Sequence, residues 1–203
     1  MKNVIVFIFI LIASGSYSQN PLQPILKTYF RVHPFDIRFS SFITSLQQDP
    51  WFTAETYDRR TDSSFFFLSG TYKNFNPLRY LPKELKLVVA EEEIIHSDLL
   101  KTPDTIINLQ LMGLTDTGIV YSNAVEKEFR RFHNNHEHRF SKSVHQTFDG
   151  IGEVYYYFLS PLSIPPVSIA WGRLETNQYT FTLTIRFKIK ENMANFIVAP
   201  GEF

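Results

Sequence analysis

The stretch Gln178 to Lys190, QYTFTLTIRFKIK, alternates apolar and polar side chains without interruption. One side of this ladder carries Tyr179, Phe181, Leu183, Ile185, Phe187 and Ile189, and the other carries Thr180, Thr182, Thr184, Arg186, Lys188 and Lys190. A repeat of two residues is the signature of a half-buried β-strand. Because parallel strands are usually covered on both faces, this two-sided pattern favours an antiparallel sheet.

Six further stretches read as strands because they are short, apolar or alternating, and bounded by turn residues. They are Trp51 to Arg60, Ser64 to Tyr72, Glu84 to Glu92, Thr105 to Met112, Glu153 to Leu159 and Val167 to Leu174. Turns are predicted at Thr115 to Gly118, at Asp149-Gly150 and at Glu175 to Asn177. The last of these makes Gln178 to Lys190 the second arm of a hairpin.

Two stretches carry the spacing of one face of an α-helix. The first has apolar residues at Phe35, Phe39, Phe42, Ile43 and Leu46, and the second has Val125, Phe129, Phe132 and His136. Pro34 suits a first helical turn, and Asp49-Pro50 is a natural stop because the residue before proline is pushed out of the helical region. Asn123 and Glu126 have the spacing of a capping box for the second helix. The sequence leaves the end of this helix open between Phe140 and Phe148. Residues 140–148 would prolong the helical stripe, but they also alternate like a strand.

These elements predict an α+β fold, mainly an antiparallel sheet with two helices packed on one face. The expected organisation is an extended lead-in at 19–34, a single domain at 35–195 and a flexible tail at 196–203. Phe39, Phe42 and Leu46 match Phe129, Phe132 and His136 at an offset of 90 residues. The match suggests two repeated helix-plus-meander units, with halves at 35–114 and 119–195. Chance similarity between aromatic-rich segments explains it almost as well, so both interpretations stay open.

Residues 1–18 have the pattern of a secretory signal peptide. The apolar run VIVFIFILIA is too short to span a bilayer, and Ser16 and Ser18 suit a cleavage site before Gln19. No other apolar segment approaches spanning length. The chain has no Cys, which excludes disulfides, thiolate nucleophiles and cysteine-based zinc sites. We therefore expect an exported protein, periplasmic or extracellular, that relies on its core for stability.

The charge balance argues against nucleic acid as a partner. Lys plus Arg and Asp plus Glu number 20 each, so the formal net charge is +0. Binding to nucleic acid rests on clustered basic charge, which this balance does not suggest. The partners that remain are a protein, a glycan or an apolar small molecule.

The segment RFHNNHEH contains the sharpest candidate for chemistry. On a helix, His133 lies one turn from His136 and Glu137, so two imidazoles and a carboxylate could hold a divalent metal. The order HxxHE differs from the HExxH and HxxEH signatures of metallohydrolases, so their mechanism cannot be transferred. The alternative places His136 in the core and the other two side chains on a solvated face. No nucleophile elbow, phosphate-binding glycine loop or dinucleotide fingerprint is present.

Two pairs of residues are candidates for ligand binding. Tyr155 and Tyr157 would form an aromatic recognition platform if no helix covered their face, whereas packing in the core is the competing interpretation. Arg186 and Lys188 stand at the positive end of the polar side of the long strand. That side is either solvated sheet or a surface for an acidic partner.

Taken together, the patterns favour an exported non-catalytic binding or interaction module that needs no cofactor. The alternatives are a metal-dependent hydrolase centred on His133, His136 and Glu137, and a carrier of a lipid or other apolar ligand. The hydrolase requires these three side chains to converge. The carrier requires an enclosed apolar pocket.

Overall fold

The structure is a computed structural model that describes residues 22–59, 66–94, 104–118, 121–159 and 164–195. The predicted signal peptide at 1–18 and the predicted tail at 196–203 lie outside the described residues. So do the first three residues of the predicted lead-in. The described part contains three α-helices, one short 3-10 helix and nine strands.

The helices are α1 (Gln23–Tyr29), α2 (Phe39–Gln48) and α3 (Ser122–His136), and the 3-10 helix Glu137–Arg139 follows α3 directly. The strands are β1 (Phe52–Arg59), β2 (Phe66–Tyr72), β3 (Glu84–Ile94), β4 (Asp104–Thr117), β5 (Lys142–Phe148), β6 (Gly152–Phe158), β7 (Val167–Arg173), β8 (Gln178–Lys190) and β9 (Met193–Asn195).

One antiparallel sheet holds all nine strands in the order β1-β2-β3-β4-β8-β7-β6-β5, with β9 paired to the end of β8. In each half of the sheet a four-strand meander follows a helix, α2 for β1–β4 and α3 for β5–β8, and the halves join where β4 pairs with β8. The predicted fold class is confirmed. The topology is the one that the repeat hypothesis requires, while a duplication of the sequence itself stays a prediction.

The helices cover one face of the sheet, and β8 shows why. Phe181, Leu183, Ile185 and Phe187 are fully buried on that face. Phe187 packs against Phe35 and Phe39, with ring centroids 5.4 and 6.2 Å apart. Aromatic rings bury much apolar area, so they hold the helices on this side. We call the other side of the sheet the open face, because no described helix packs on it.

The extended lead-in is wrong over Gln23–Tyr29, which form α1 and raise the number of helices from two to three. Pro24 lies in the first turn, where its missing N–H costs nothing and its fixed φ suits a helix. Ile25, Leu26 and Tyr29 are buried at helical spacing. The segment is therefore helical because it packs on the core and because Pro24 is compatible with its first turn.

The first predicted helix begins later than expected. Its first residue is Phe39, because Asp36 has φ of +68° and interrupts the helical backbone. Phe35 is nevertheless buried, although it lies in the loop before the helix, which is why it fits the apolar spacing of the helix in the sequence. The predicted stop is confirmed at Asp49, which is extended.

The ends of α3 also differ from the prediction. Tyr121 is the N-cap residue and no side chain caps the helix, so the capping box at Asn123 and Glu126 is wrong. The helix ends at His136, and Lys142–Phe148 is a strand, which settles the ambiguity. The turn predicted at Thr115 to Gly118 cannot begin at Thr115, since β4 runs on to Thr117.

The described residues include no helix with the length and apolar character needed to cross a membrane.

Candidate functional site

The three residues proposed as metal ligands do not converge. His133 and Glu137 meet, with Nε2 and Oε2 3.1 Å apart. His136 instead faces the core, where its ring lies 4.7 Å from that of Phe132 and 6.4 Å from that of Tyr29. Within the described ranges, no group of three or more His, Cys, Asp or Glu side chains could hold a metal ion. The predicted three-residue site is therefore not formed.

His136 occupies the fourth position of the apolar stripe of α3. Its side chain is buried, and its Nδ1 has no hydrogen-bond partner among the described residues. Burial lowers the pKa of His136 to about 4, and the nearby charges of Arg139 and Arg131 act in the same direction. The imidazole is therefore neutral and serves as a core residue.

Tyr155 and Tyr157 lie on the helix-covered face, so they do not form the exposed platform. Tyr157 is fully buried and its hydroxyl lies 3.2 Å from Nδ1 of His133. Tyr155 stacks between His133 and His145, with centroid distances of 4.0 and 4.4 Å. Burial raises the pKa of Tyr157. These rings are part of the layer that joins α3 to the sheet, as the competing interpretation held.

Glu153 ties α3 to three strands. Its carboxylate accepts hydrogen bonds from Arg130 Nη2 at 2.5 Å, His145 Nε2 at 2.7 Å and Trp171 Nε1 at 3.2 Å. Burial alone would raise the pKa of Glu153, but these hydrogen bonds outweigh it and lower the pKa. A carboxylate held ionised by three donors is suited to fixing structure and not to donating a proton.

A second carboxylate, Glu128, is buried beneath the outer side of α3. It accepts from Arg131 through Nε at 3.0 Å and through Nη2, and from the Tyr29 hydroxyl at 3.2 Å. The backbone N–H of Arg79 also donates to it, at 3.1 Å. The sequence contains a signal for this residue, because Glu128 lies at the i+3 position between Val125 and Phe132 of the apolar stripe.

Arg186 and Lys188 lie on the open face, on the side of the sheet opposite to Tyr155 and Tyr157. Arg186 reaches across to β7, where its Nη1 donates to Ser168 Oγ at 3.0 Å and lies 3.4 Å from the Pro165 carbonyl oxygen. Burial lowers the pKa of Arg186, and Glu92 and Tyr156 oppose that shift. The guanidinium is thus a half-buried charge and not a solvated one. Lys188 is partly exposed on the same side.

The polar residues around Arg186 are buried, although no described helix covers this side of the sheet. Asn108, Ser168 and Thr184 are only 7, 6 and 5% exposed. Asn108 is the cross-strand partner of Arg186, and its Nδ2 donates to Glu92 Oε2 at 2.6 Å. Its Oδ1 is buried and has no hydrogen-bond partner in the part of the chain that the structure describes. We call Glu92, Asn108, Ser168, Thr184 and Arg186 the Arg186 cluster.

The Arg186 cluster combines features that a binding site needs. Buried polar atoms in proteins nearly always have a hydrogen-bond partner, so an unsatisfied amide oxygen calls for an explanation such as a ligand. Arg186, its cross-strand partner, carries a charged donor that is held on the β7 side by its hydrogen bond to Ser168. Together they suit a chemical group that both accepts and donates hydrogen bonds. The sequence pattern places Thr184 on the same side of β8 as Arg186, but it does not bring Glu92, Asn108 or Ser168 to this site, because only the pairing of strands does so.

Comparison of the chain with protein-family models, with curated proteins and with solved structures finds no match in any of the three.

Proposed function

We propose that the protein is an exported, non-catalytic binding module that holds its ligand on the open face of the sheet, at the Arg186 cluster. The observation that carries this proposal is the buried Oδ1 of Asn108, which has no hydrogen-bond partner among the described residues and belongs to the cross-strand partner of Arg186. Export rests on the signal-peptide pattern of residues 1–18.

The ligand should present both a hydrogen-bond acceptor and a hydrogen-bond donor. The guanidinium of Arg186 supplies donors and the Asn108 amide oxygen supplies an acceptor. Hydroxyl groups of a glycan and amide groups of a peptide both have this dual character. A ligand of this kind fits the protein or glycan partner that the sequence predicts better than an apolar molecule does.

The packing of the other face supports a role for the open face. The layer between α3 and the sheet contains three fully buried rings, those of Phe129, Phe132 and Phe181. The ring centroids of Phe132 and Phe181 lie 6.5 Å apart. Side chains thus occupy the space where a carrier would hold an apolar molecule. Nothing in this packing favours the carrier.

Native mass spectrometry of protein recovered from its producing cells tests the proposal. Wild type should retain an additional mass that Arg186→Gln loses. Arg173→Gln is the matched control. It removes the same charge as Arg186→Gln, but at an exposed residue at the end of β7, away from the cluster. A wild-type protein at the mass of the bare chain, or an additional mass that survives Arg186→Gln, would contradict the proposal.

A further inference from the structure

A depression of about 440 Å³ lies between the first turns of α3 and the loop before β3. Arg79, Asn123, Lys127 and Arg131 line it, and the buried Glu128 lies beneath them. Its volume falls within the range of small-molecule sites, roughly 300 to 1,000 Å³.

The charge around this depression differs from that of the whole chain. Three cationic side chains and one carboxylate give a local charge of +2, whereas the formal net charge of the chain is +0. Charge gathered in a concave site attracts ligands of the opposite sign more effectively than the same charge spread over a convex surface. The depression is therefore electrostatically suited to an anion.

The buried carboxylate organises this site without neutralising it fully. Glu128 fixes Arg131 through two hydrogen bonds and fixes the backbone of Arg79 through a third. Neither the Arg79 guanidinium nor the Lys127 ammonium makes an ion pair with another described residue. Two cations without a counter-ion among the described residues thus flank an arginine that is already held in place.

A second depression of about 520 Å³ continues along the outer side of α3. It shares Asn123, Lys127 and Arg131 with the first and extends past the ion pair of Glu126 and Arg130 to Asn134 and Asn135. Amide side chains both donate and accept hydrogen bonds. The body of a ligand anchored at Arg79 and Lys127 can therefore extend along these amides.

We propose that this depression binds a small molecule through an oxyanion, either a phosphate or a carboxylate group. Arginine matches the geometry of both groups through paired N–H donors, and lysine adds a point charge. The site is separate from the Arg186 cluster, because α3 covers the opposite face of the sheet. Loss of one site should leave the other unchanged.

Titration of the full chain with inorganic phosphate and, separately, with acetate tests the proposal. The readout is the amide NMR signals of Arg79 and Lys127, with ionic strength held constant by NaCl. We expect saturable shifts, and we expect the double variant Arg79→Gln/Lys127→Gln to bind about tenfold more weakly or worse. Lys142→Gln on the far edge strand β5 removes the same kind of charge and should bind like wild type. Arg186→Gln should also bind like wild type.

The two titrations also identify the group. Tighter binding of phosphate assigns the site to a phosphate group, and tighter binding of acetate assigns it to a carboxylate. Linear, unsaturable shifts with both anions would overturn the proposal. So would equal binding by wild type and the double variant, provided that both show the same thermal unfolding midpoint.

Discussion

The buried pair Glu128 and Arg131 allows a quantitative test of how α3 is held in the fold. The Glu128 side chain is 0% exposed, while that of Arg131 is 22% exposed. Replacing Arg131 with Met removes two of the hydrogen bonds to the carboxylate and leaves Tyr29 and the Arg79 backbone as its described donors. The carboxylate then remains buried without its counter-charge.

The expected magnitude follows from this loss. Removing one partner of a buried ion pair costs about 3 to 5 kcal/mol, because the remaining charge is uncompensated. Replacing both residues with apolar ones of similar size is often neutral. The double variant Glu128→Met/Arg131→Met should therefore unfold at higher denaturant concentration than Arg131→Met alone.

Urea unfolding followed by tryptophan fluorescence and far-UV circular dichroism measures these differences. Trp51 and Trp171 lie in different halves of the chain, so coincident curves would show two-state unfolding. Lys127→Met is the control on the same helix and should change the free energy of unfolding by about 0.5 kcal/mol at most. A cost below about 1 kcal/mol for Arg131→Met would show that the pair behaves like a surface salt bridge and would refute the reasoning.

Three further predictions concern the core. Phe132→Ala should cost about 3 to 5 kcal/mol in urea unfolding because the ring is fully buried, whereas Leu81→Ala, at a side chain that is 84% exposed, should change stability by about 0.5 kcal/mol at most. Burial lowers the pKa of His136 to about 4, so the unfolded chain binds a proton at this imidazole more tightly than the folded chain does. The free energy of unfolding of the wild type should therefore fall by at most about 3 kcal/mol as the pH drops from about 6.5 to about 4. His136→Leu should flatten that slope in urea unfolding measured across this pH range, and an unchanged slope would contradict the assignment. Gly70→Ala should lower the thermal midpoint, since the added Cβ would collide with the Phe52 ring and the Thr53 carbonyl oxygen. An unchanged midpoint would contradict the pairing of β1 with β2 at this position.

The sheet could be predicted because its strands carry their own patterns. The alternation from Gln178 to Lys190 predicts both the strand and its two faces, and the structure confirms them. The helix α1 could not be predicted in this way, because its seven residues hold their shape through burial against the core. A short helix has little stability of its own.

The candidate site was harder to predict because its members are distant in sequence. Asn108 and Arg186 become neighbours only through the pairing of β4 with β8, and Ser168 joins them only through the pairing of β7 with β8. Alternation shows that Tyr155 and Tyr157 share a face. It does not show which face the helices cover, so local pattern could not decide between platform and core.

Binding of the ligand on the open face can be tested directly with introduced thiols, because the chain contains no cysteine. Gln110→Cys places a thiol on the open face two residues from Asn108, and Thr44→Cys places one on the exposed side of α2. The rate of thiol labelling is measured for each variant with and without envelope and culture fractions of the producing organism. We expect slower labelling at position 110 and an unchanged rate at position 44. Unchanged labelling at position 110, or protection at position 44 alone, would contradict binding on the open face.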